Sequence, residues 1–137
     1  MRIAIDSNVI SALWSAEPVA SFASAQLNAV REENMLLICG PVYAELLAHP
    51  GVSPDLVEDF FVKTGIAVDF EITEKMWKEA GKRFSRYASR RRRSGGGHPR
   101  RLLVDFLVGS YALLSAGRLL TFDRDRYSTD FPELLLL

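Results

Sequence analysis

Residues 2–9 read RIAIDSNV, a short apolar run that ends in an acid and is followed by two small polar residues. The β-branched side chains of Ile3 and Ile5 favour a buried strand. Ser7 or Asn8 then supplies a helix cap before the next apolar segment begins. Asp6 therefore falls at the carboxyl end of a strand, and in open α/β sheets such strand ends line the crevice where ligands bind.

The rest of the chain repeats this alternation of short apolar runs and amphipathic segments. Further strands are predicted at 35–39, 66–70, 118–122 and 133–137. Helices are predicted at 9–14, 19–32, 41–49, from Ser53 to the break at Gly65, from Thr73 towards an arginine run, and at 100–116. The alternation favours an α/β fold, a three-layer sandwich with a largely parallel central sheet flanked by helices. A chain of 137 residues suits a single domain spanning 1–137.

Composition excludes several classes of protein. A hydrophobic share of 48% and a charged share of 25% are ordinary for a globular protein. Cys39 is the one cysteine, so no intrachain disulfide can form and a cytoplasmic location is expected. The N-terminus lacks the apolar core of a signal peptide, and no apolar run reaches the roughly 20 residues of a membrane helix.

The formal net charge of +0 hides a strong asymmetry. Basic residues crowd between Lys82 and Arg101, and no acid occurs from Ala80 to Val104. The four consecutive arginines 90–93 lead into the sequence SGGGHP, which predicts a basic flexible loop over about 90–99. Such a charge run is often only solvated surface. It also attracts polyanions, so both interpretations stay open at this point.

Four acids lie in similarly apolar surroundings: Asp6, Glu45, Asp105 and Asp123. Asp6 and Asp123 follow strands, Glu45 lies one turn into the helix after the second strand, and Asp105 lies one turn into its own helix. Converged carboxylates would repel each other, by about 4 kcal/mol for a pair 4 Å apart at an effective dielectric constant near 20. Mg²⁺ or Mn²⁺ removes this repulsion, because hard cations prefer oxygen ligands. A metal-bound water is then a nucleophile for a phosphodiester.

Each acid also has an ordinary structural interpretation. Asp6 can cap a helix, and Glu45 can be a partly exposed helix residue. Asp105 can pair with Arg101 four residues earlier, and Asp123 can begin a turn. Their joint placement at one predicted rim of the sheet favours the metal site over these separate explanations.

Four motifs carry a resemblance to a known family. They are IDSNV at 5–9, YAEL at 43–46, LVDFLVG at 103–109 and LLTFDRDRY at 119–127. In this order they resemble PIN domains, and most of all the bacterial VapC toxins of toxin–antitoxin pairs. The resemblance implies a PIN-like sandwich and a metal-dependent endoribonuclease that uses Mg²⁺ or Mn²⁺. It implies catalytic and metal-binding roles for Asp6, Glu45, Asp105 and Asp123, with support from Ser7, Asn8, Thr121 and Asp125.

The resemblance also implies partners: an RNA substrate, a cognate antitoxin and a second copy of the chain in a homodimer. Beside a nuclease-like set of acids, phosphate binding becomes the favoured role of the basic segment. The candidate RNA-binding residues are Arg90, Arg91, Arg92, Arg93, Arg100 and Arg101.

Two other functions remain as alternatives. A non-catalytic PIN-like domain that binds RNA or a protein partner is weakened by the retention of all four acids. A receiver-type phosphoacceptor module is disfavoured, because Asp6 has no acidic neighbour and no lysine follows Lys82.

Overall fold

The computed structural model describes residues 1–96 and 101–137. Within these ranges five parallel strands form one sheet in the order β3-β2-β1-β4-β5. The strands are β1 (Arg2–Ile5), β2 (Met35–Cys39), β3 (Ala67–Asp69), β4 (Arg118–Leu120) and β5 (Leu135–Leu136). The helices are α1 (Ser7–Trp14), α2 (Val19–Arg31), α3 (Gly40–Leu47), α4 (Pro54–Thr64), α5 (Glu74–Arg93), α6 (Leu103–Ser115) and α7 (Arg124–Ser128).

The order of the strands creates a switch point beside β1. From β1 the chain moves outward through β2 to β3, then returns to the other side of β1 at β4. Because parallel crossovers are right-handed, this reversal places α1–α4 on one face of the sheet and α5 and α6 on the other. The carboxyl ends of β1 and β4 therefore flank the crevice in which open α/β sheets bind ligands. The predicted α/β sandwich with a parallel sheet is confirmed.

The extent of the basic helix differs from the prediction. Helix α5 begins after Thr73, whose hydroxyl accepts a hydrogen bond from the Met76 N–H, and continues through Arg93. The arginines 90–93 are therefore helical, and the predicted loop over 90–99 starts only at Ser94. Arginine is a good helix former, and positive charge near a helix C-terminus is favourable. Residues 97–99 of that loop, and Arg100, lie outside the described residues.

The α7 helix is a second difference, because the sequence suggested only a turn at that point. It follows Asp123 directly and buries the Tyr127 side chain in the core. The other predicted elements are present, with bounds that differ from the prediction by at most a few residues. Across the two described ranges, no helix has the length and apolar character required to cross a membrane.

Close packing of α6 against the C-terminal segment fixes the position of the helix that carries Asp105. A Cβ atom added at Gly109 would lie 2.4 Å from the ring of Phe131, which is itself fully buried. Only glycine allows this approach. The close approach fixes α6 against the segment that follows α7.

Gly109→Ala is expected to destabilise the fold by roughly 1–3 kcal/mol, because the buried ring of Phe131 cannot move aside freely. Urea unfolding measures the effect. Gly81→Ala is the matched control, since Gly81 is an exposed residue of α5 with no atom within 4 Å of an added Cβ. That control should be neutral or gain up to about 1 kcal/mol of stability. Equal stability of the two variants would contradict the packing argument.

Candidate active site

Asp6 lies at the end of β1, and its carboxylate is enclosed by hydrogen-bond donors. Its N–H donates to the Leu120 carbonyl at 3.0 Å, so the β1–β4 ladder fixes the backbone at this point. The residue is only 3% exposed. Oδ1 accepts the Ser7 N–H at 2.8 Å, which makes Asp6 the cap of α1. Oδ2 accepts bonds from Thr121 Oγ1 at 2.9 Å, Tyr127 Oη at 3.0 Å and Asn8 Nδ2 at 3.3 Å.

Asn8 and Thr121 join the ends of the two central strands. The Asn8 amide donates to Thr121 Oγ1 at 3.3 Å and accepts the Phe122 N–H at 3.1 Å. Thr121 Oγ1 in turn accepts the Asp123 N–H at 3.1 Å. The same two side chains therefore orient Asp6 and fix the start of the segment that carries Asp123.

Glu45 reaches this rim from α3, which begins directly after β2 with Pro41 in its first turn. The Ser7 hydroxyl donates to Glu45 Oε1 at 3.3 Å. Partial burial raises the pKa of Glu45, and the charges of Asp6 and Asp105 raise it further. The three carboxylates are therefore close enough for their charges to interact.

Asp105 and Asp123 are linked by an arginine. Arg126 donates from Nη1 to Asp105 Oδ1 at 3.2 Å and pairs through Nε with Asp123 Oδ2 at 3.1 Å. The other oxygen of Asp105, Oδ2, accepts the Leu102 N–H at 3.1 Å, an orphan donor at the start of α6. The guanidinium therefore lies between the acids contributed by α6 and by the end of β4.

The alternative pairing of Asp105 with Arg101 is not formed. Arg101 turns instead to two backbone carbonyls of α7, donating to Asp125 O at 3.0 Å and to Arg126 O. A guanidinium carries several N–H donors, so one side chain can satisfy both carbonyls.

Burial dominates the electrostatics at the centre of the site. Removal from water raises the pKa of Asp6, although its hydrogen bonds with Thr121, Tyr127 and Ser7 and the charge of Arg126 oppose the shift. Burial alone would lower the pKa of Arg126, but Asp105 and Asp123 outweigh it and the pKa is raised. The acids are thus coupled to one another and to a single guanidinium.

The donor chemistry of this rim fits a hard divalent cation, because the available ligands are carboxylate and hydroxyl oxygens. A positive group, the Arg126 guanidinium, already lies among them. Within residues 1–96 and 101–137, however, no three acidic, histidine or cysteine side chains are arranged as a ready set of metal ligands. In this structure the carboxylates are held by hydrogen bonds and by Arg126.

The sequence matches the model of the PIN domain family over residues 3–132. This chain belongs to the PIN domain family. Two solved structures share its fold: VapBC2 from Rickettsia felis bound to a DNA fragment from its promoter, and VapBC-1 from nontypeable Haemophilus influenzae. Each is 17% identical, with TM-scores of 0.64 and 0.65. They cover 100% of this chain, which in turn covers 98% and 97% of theirs. No curated protein matches the sequence.

The predicted supporting residues of this PIN domain divide into two groups. Ser7, Asn8 and Thr121 contact the acids directly, as described above. Asp125 is exposed on α7, and its carboxylate forms no ion pair within the part of the chain that the structure describes. The structure thus brings four acids and three polar supports to the rim and leaves Asp125 at its edge.

The candidate RNA-binding arginines also divide. Arg90 pairs with Asp130, a buried acid, and Arg101 lies 4.0 Å from the same carboxylate. Arg91 is partly buried and donates to the Gly96 carbonyl at 2.5 Å. Arg92 and Arg93 are exposed at the end of α5.

The sequence predicted no role for three residues at or near the site: Arg126, Tyr127 and Asp130. Arg126 and Tyr127 belong to the motif at 119–127. Arg126 and Tyr127 lie three and four residues after Asp123, a spacing that puts them beside it once the segment is helical. The sequence offered a turn at Asp123 as an alternative and predicted no helix there, so this spacing was not used. Asp130 had no such signal, because its arginine partners are remote in sequence.

The raised pKa of Asp6 predicts how stability depends on pH without metal. The folded state holds the Asp6 proton to higher pH than the unfolded chain, so ionisation above the raised pKa destabilises the fold. In EDTA, Asp6→Asn should therefore be more stable than the wild type near pH 7. The difference should shrink as the pH falls towards the ordinary aspartate value of 3.8.

Urea unfolding across this pH range measures the difference between the two proteins. Asp59→Asn is the control, since Asp59 is an exposed residue of α4 paired with Lys63. A wild type that equals or exceeds Asp6→Asn in stability at every pH would contradict the assignment.

Proposed function

We propose that this PIN domain is a metal-dependent endoribonuclease, the toxin of a toxin–antitoxin pair. The observation that carries the proposal is the placement of Asp6, Glu45, Asp105 and Asp123 around one rim of a parallel sheet, where Ser7 links Glu45 to Asp6 and Arg126 links Asp105 to Asp123. Arg126 pairs with only two of these acids, so a divalent cation would neutralise negative charge that the protein leaves uncompensated.

Asp6, Asp105 and Asp123 would hold Mg²⁺ or Mn²⁺, and Glu45 would hold the ion or orient a water. The bound ion supplies a water of lowered pKa and neutralises charge that develops on the phosphodiester. Ser7 orients Glu45 by a hydrogen bond, and the raised pKa of Glu45 suits a group that accepts a proton. Asn8, Thr121 and Tyr127 fix the rotamer of Asp6, as outer-shell partners of a metal ligand do.

The proposed partners follow from the same likeness. Both similar structures are VapBC assemblies, which supports a cognate antitoxin for this chain. The homodimer and the cytoplasmic location stay predictions.

RNA is the proposed substrate because α5 ends in a basic surface. Its exposed members Arg92 and Arg93 follow Lys82 and Arg86, which are also exposed. Backbone phosphates are the groups that such a surface binds without regard to sequence.

Loss of a central acid tests catalysis directly. Asp6→Ala and Asp105→Ala should each lower the rate of RNA cleavage with Mg²⁺ or Mn²⁺ by at least about 100-fold, since each removes a proposed ligand of the ion. EDTA should abolish cleavage by the wild type. Gel analysis of total RNA and of defined oligonucleotides provides the measurement.

Asp59→Asn should cleave at the wild-type rate, and circular dichroism checks that the inactive variants are folded. Cleavage that persists in either variant, or in EDTA, would reject the metal site. A folded wild type that binds RNA or a protein partner but never cuts would favour the non-catalytic alternative.

The exposed arginines should act on binding and not on folding. The double substitution of Arg92 and Arg93 by Ala should weaken RNA binding and reduce the slope of log K against log salt by about 1–2, because two phosphate contacts are lost. Filter binding at several salt concentrations measures the slope.

Arg101→Ala is the comparison for this experiment, because Arg101 stabilises α7 by donating hydrogen bonds to two of its backbone carbonyls. It should lower the melting temperature, whereas the double variant should leave it unchanged. An unchanged salt slope in the double variant would remove these two residues from the RNA surface.

A further inference from the structure

Within residues 1–96 and 101–137, Arg126 is the one cation that forms an ion pair with any of the four acids. Its ion pairs join Asp105 and Asp123. Its charge also acts on the other two acids, since it lowers the pKa of both Asp6 and Glu45 against the effect of burial. A single guanidinium therefore pairs with two of the acids and offsets part of the charge of the cluster in the metal-free chain.

The guanidinium occupies the oxygens that a metal would need. Asp105 Oδ2 is already held by the Leu102 N–H, which leaves Oδ1 facing the cluster, and Oδ1 is the atom bound by Arg126. Asp123 uses Oδ2 for the same arginine. A divalent ion bound to these two oxygens would occupy the same space as the guanidinium. Both groups are positively charged, so they would repel each other.

The protein holds the backbone of Arg126 but leaves its side chain able to move. Tyr127 buries its ring beside Arg126, and Arg101 binds the carbonyl of Arg126 itself. The side chain of Arg126 nevertheless remains 40% exposed, and its two carboxylate partners are 14% and 42% exposed. The guanidinium can therefore turn towards solvent without disturbing α7.

We propose that Arg126 is a built-in counter-ion that competes with the divalent cation for Asp105 and Asp123. In the metal-free state it keeps the acids together, and metal binding requires that it release both carboxylates. This inference rests on the proposed function only in that the acids bind a metal, and it adds that the chain itself opposes that binding.

The affinity for Mn²⁺ alone tests the competition, measured by calorimetry or by the electron paramagnetic resonance of free Mn²⁺. Arg126→Gln should bind Mn²⁺ roughly fivefold more tightly than the wild type, because two partly exposed ion pairs no longer have to be broken. A structural role alone would not produce a gain in affinity. Arg124→Gln is the matched control, because this substitution removes the same charge two residues away. Arg124 pairs with no acid in the described ranges.

Thermal unfolding provides the second measurement. In EDTA, Arg126→Gln should melt at a lower temperature than the wild type, because the acids lose their counter-ion. Saturating Mn²⁺ should raise its melting temperature by more than it raises that of the wild type. Arg126→Lys retains the charge but cannot bridge two carboxylates in the same way, so its affinity should fall between those of the other two proteins. This variant also serves if Arg126→Gln does not fold.

The outcomes separate this inference from the nuclease proposal. Equal or weaker Mn²⁺ affinity in the Arg126 variants, while the wild type binds and cleaves, overturns the competition and leaves the nuclease intact. Absence of Mn²⁺ binding by the wild type and both variants overturns the inference and the metal site together. An equal gain in Mn²⁺ affinity in Arg124→Gln and Arg126→Gln shows a general effect of charge and also overturns the competition.

Discussion

The structure depends on keeping the carboxylate of Asp6 buried at the end of the central strand. Burial opposes its charge, and four donors from three segments of the chain offset part of that penalty. Those donors are available only if β1 and β4 pair in register and α7 folds back over the strand ends. The position of one acid thus constrains the sheet, the loop after β4 and the last helix.

The remaining acids extend the same constraint outward. Glu45 is connected to Asp6 through Ser7, and Asp105 is connected to Asp123 through Arg126. Each contact joins a different element to the rim, so the site is held by polar bonds between elements and not by one rigid loop. Grouping acids in this way lowers the stability of the fold at the site proposed for catalysis. Such a trade-off between stability and activity is common in enzymes.

Much of this arrangement could be predicted from sequence, for a physical reason. Short β-branched runs such as 3–5 specify buried strands, and parallel strands bring their carboxyl ends to one edge, so the placement of Asp6 and Asp123 followed from pattern alone. The ion-pair partner of Asp105 could not be predicted from sequence, because Arg101 and Arg126 are both plausible neighbours. Tertiary packing determines that Arg126 is the partner. The extent of α5 was missed for a similar reason: pairing of Arg90 with Asp130 across 40 residues supports a helix that the charge run alone did not indicate.

The central place of β1 also governs when the site can exist. Synthesis delivers Asp6 first, whereas its partners Thr121 and Tyr127 follow 115 and 121 residues later. Contacts so distant in sequence form late in folding, because long loops must close before they are made. A chain still being translated therefore carries Asp6 and Glu45 before it carries Thr121 and Tyr127, which orient Asp6. The cluster can therefore assemble only after nearly the whole domain has been synthesised.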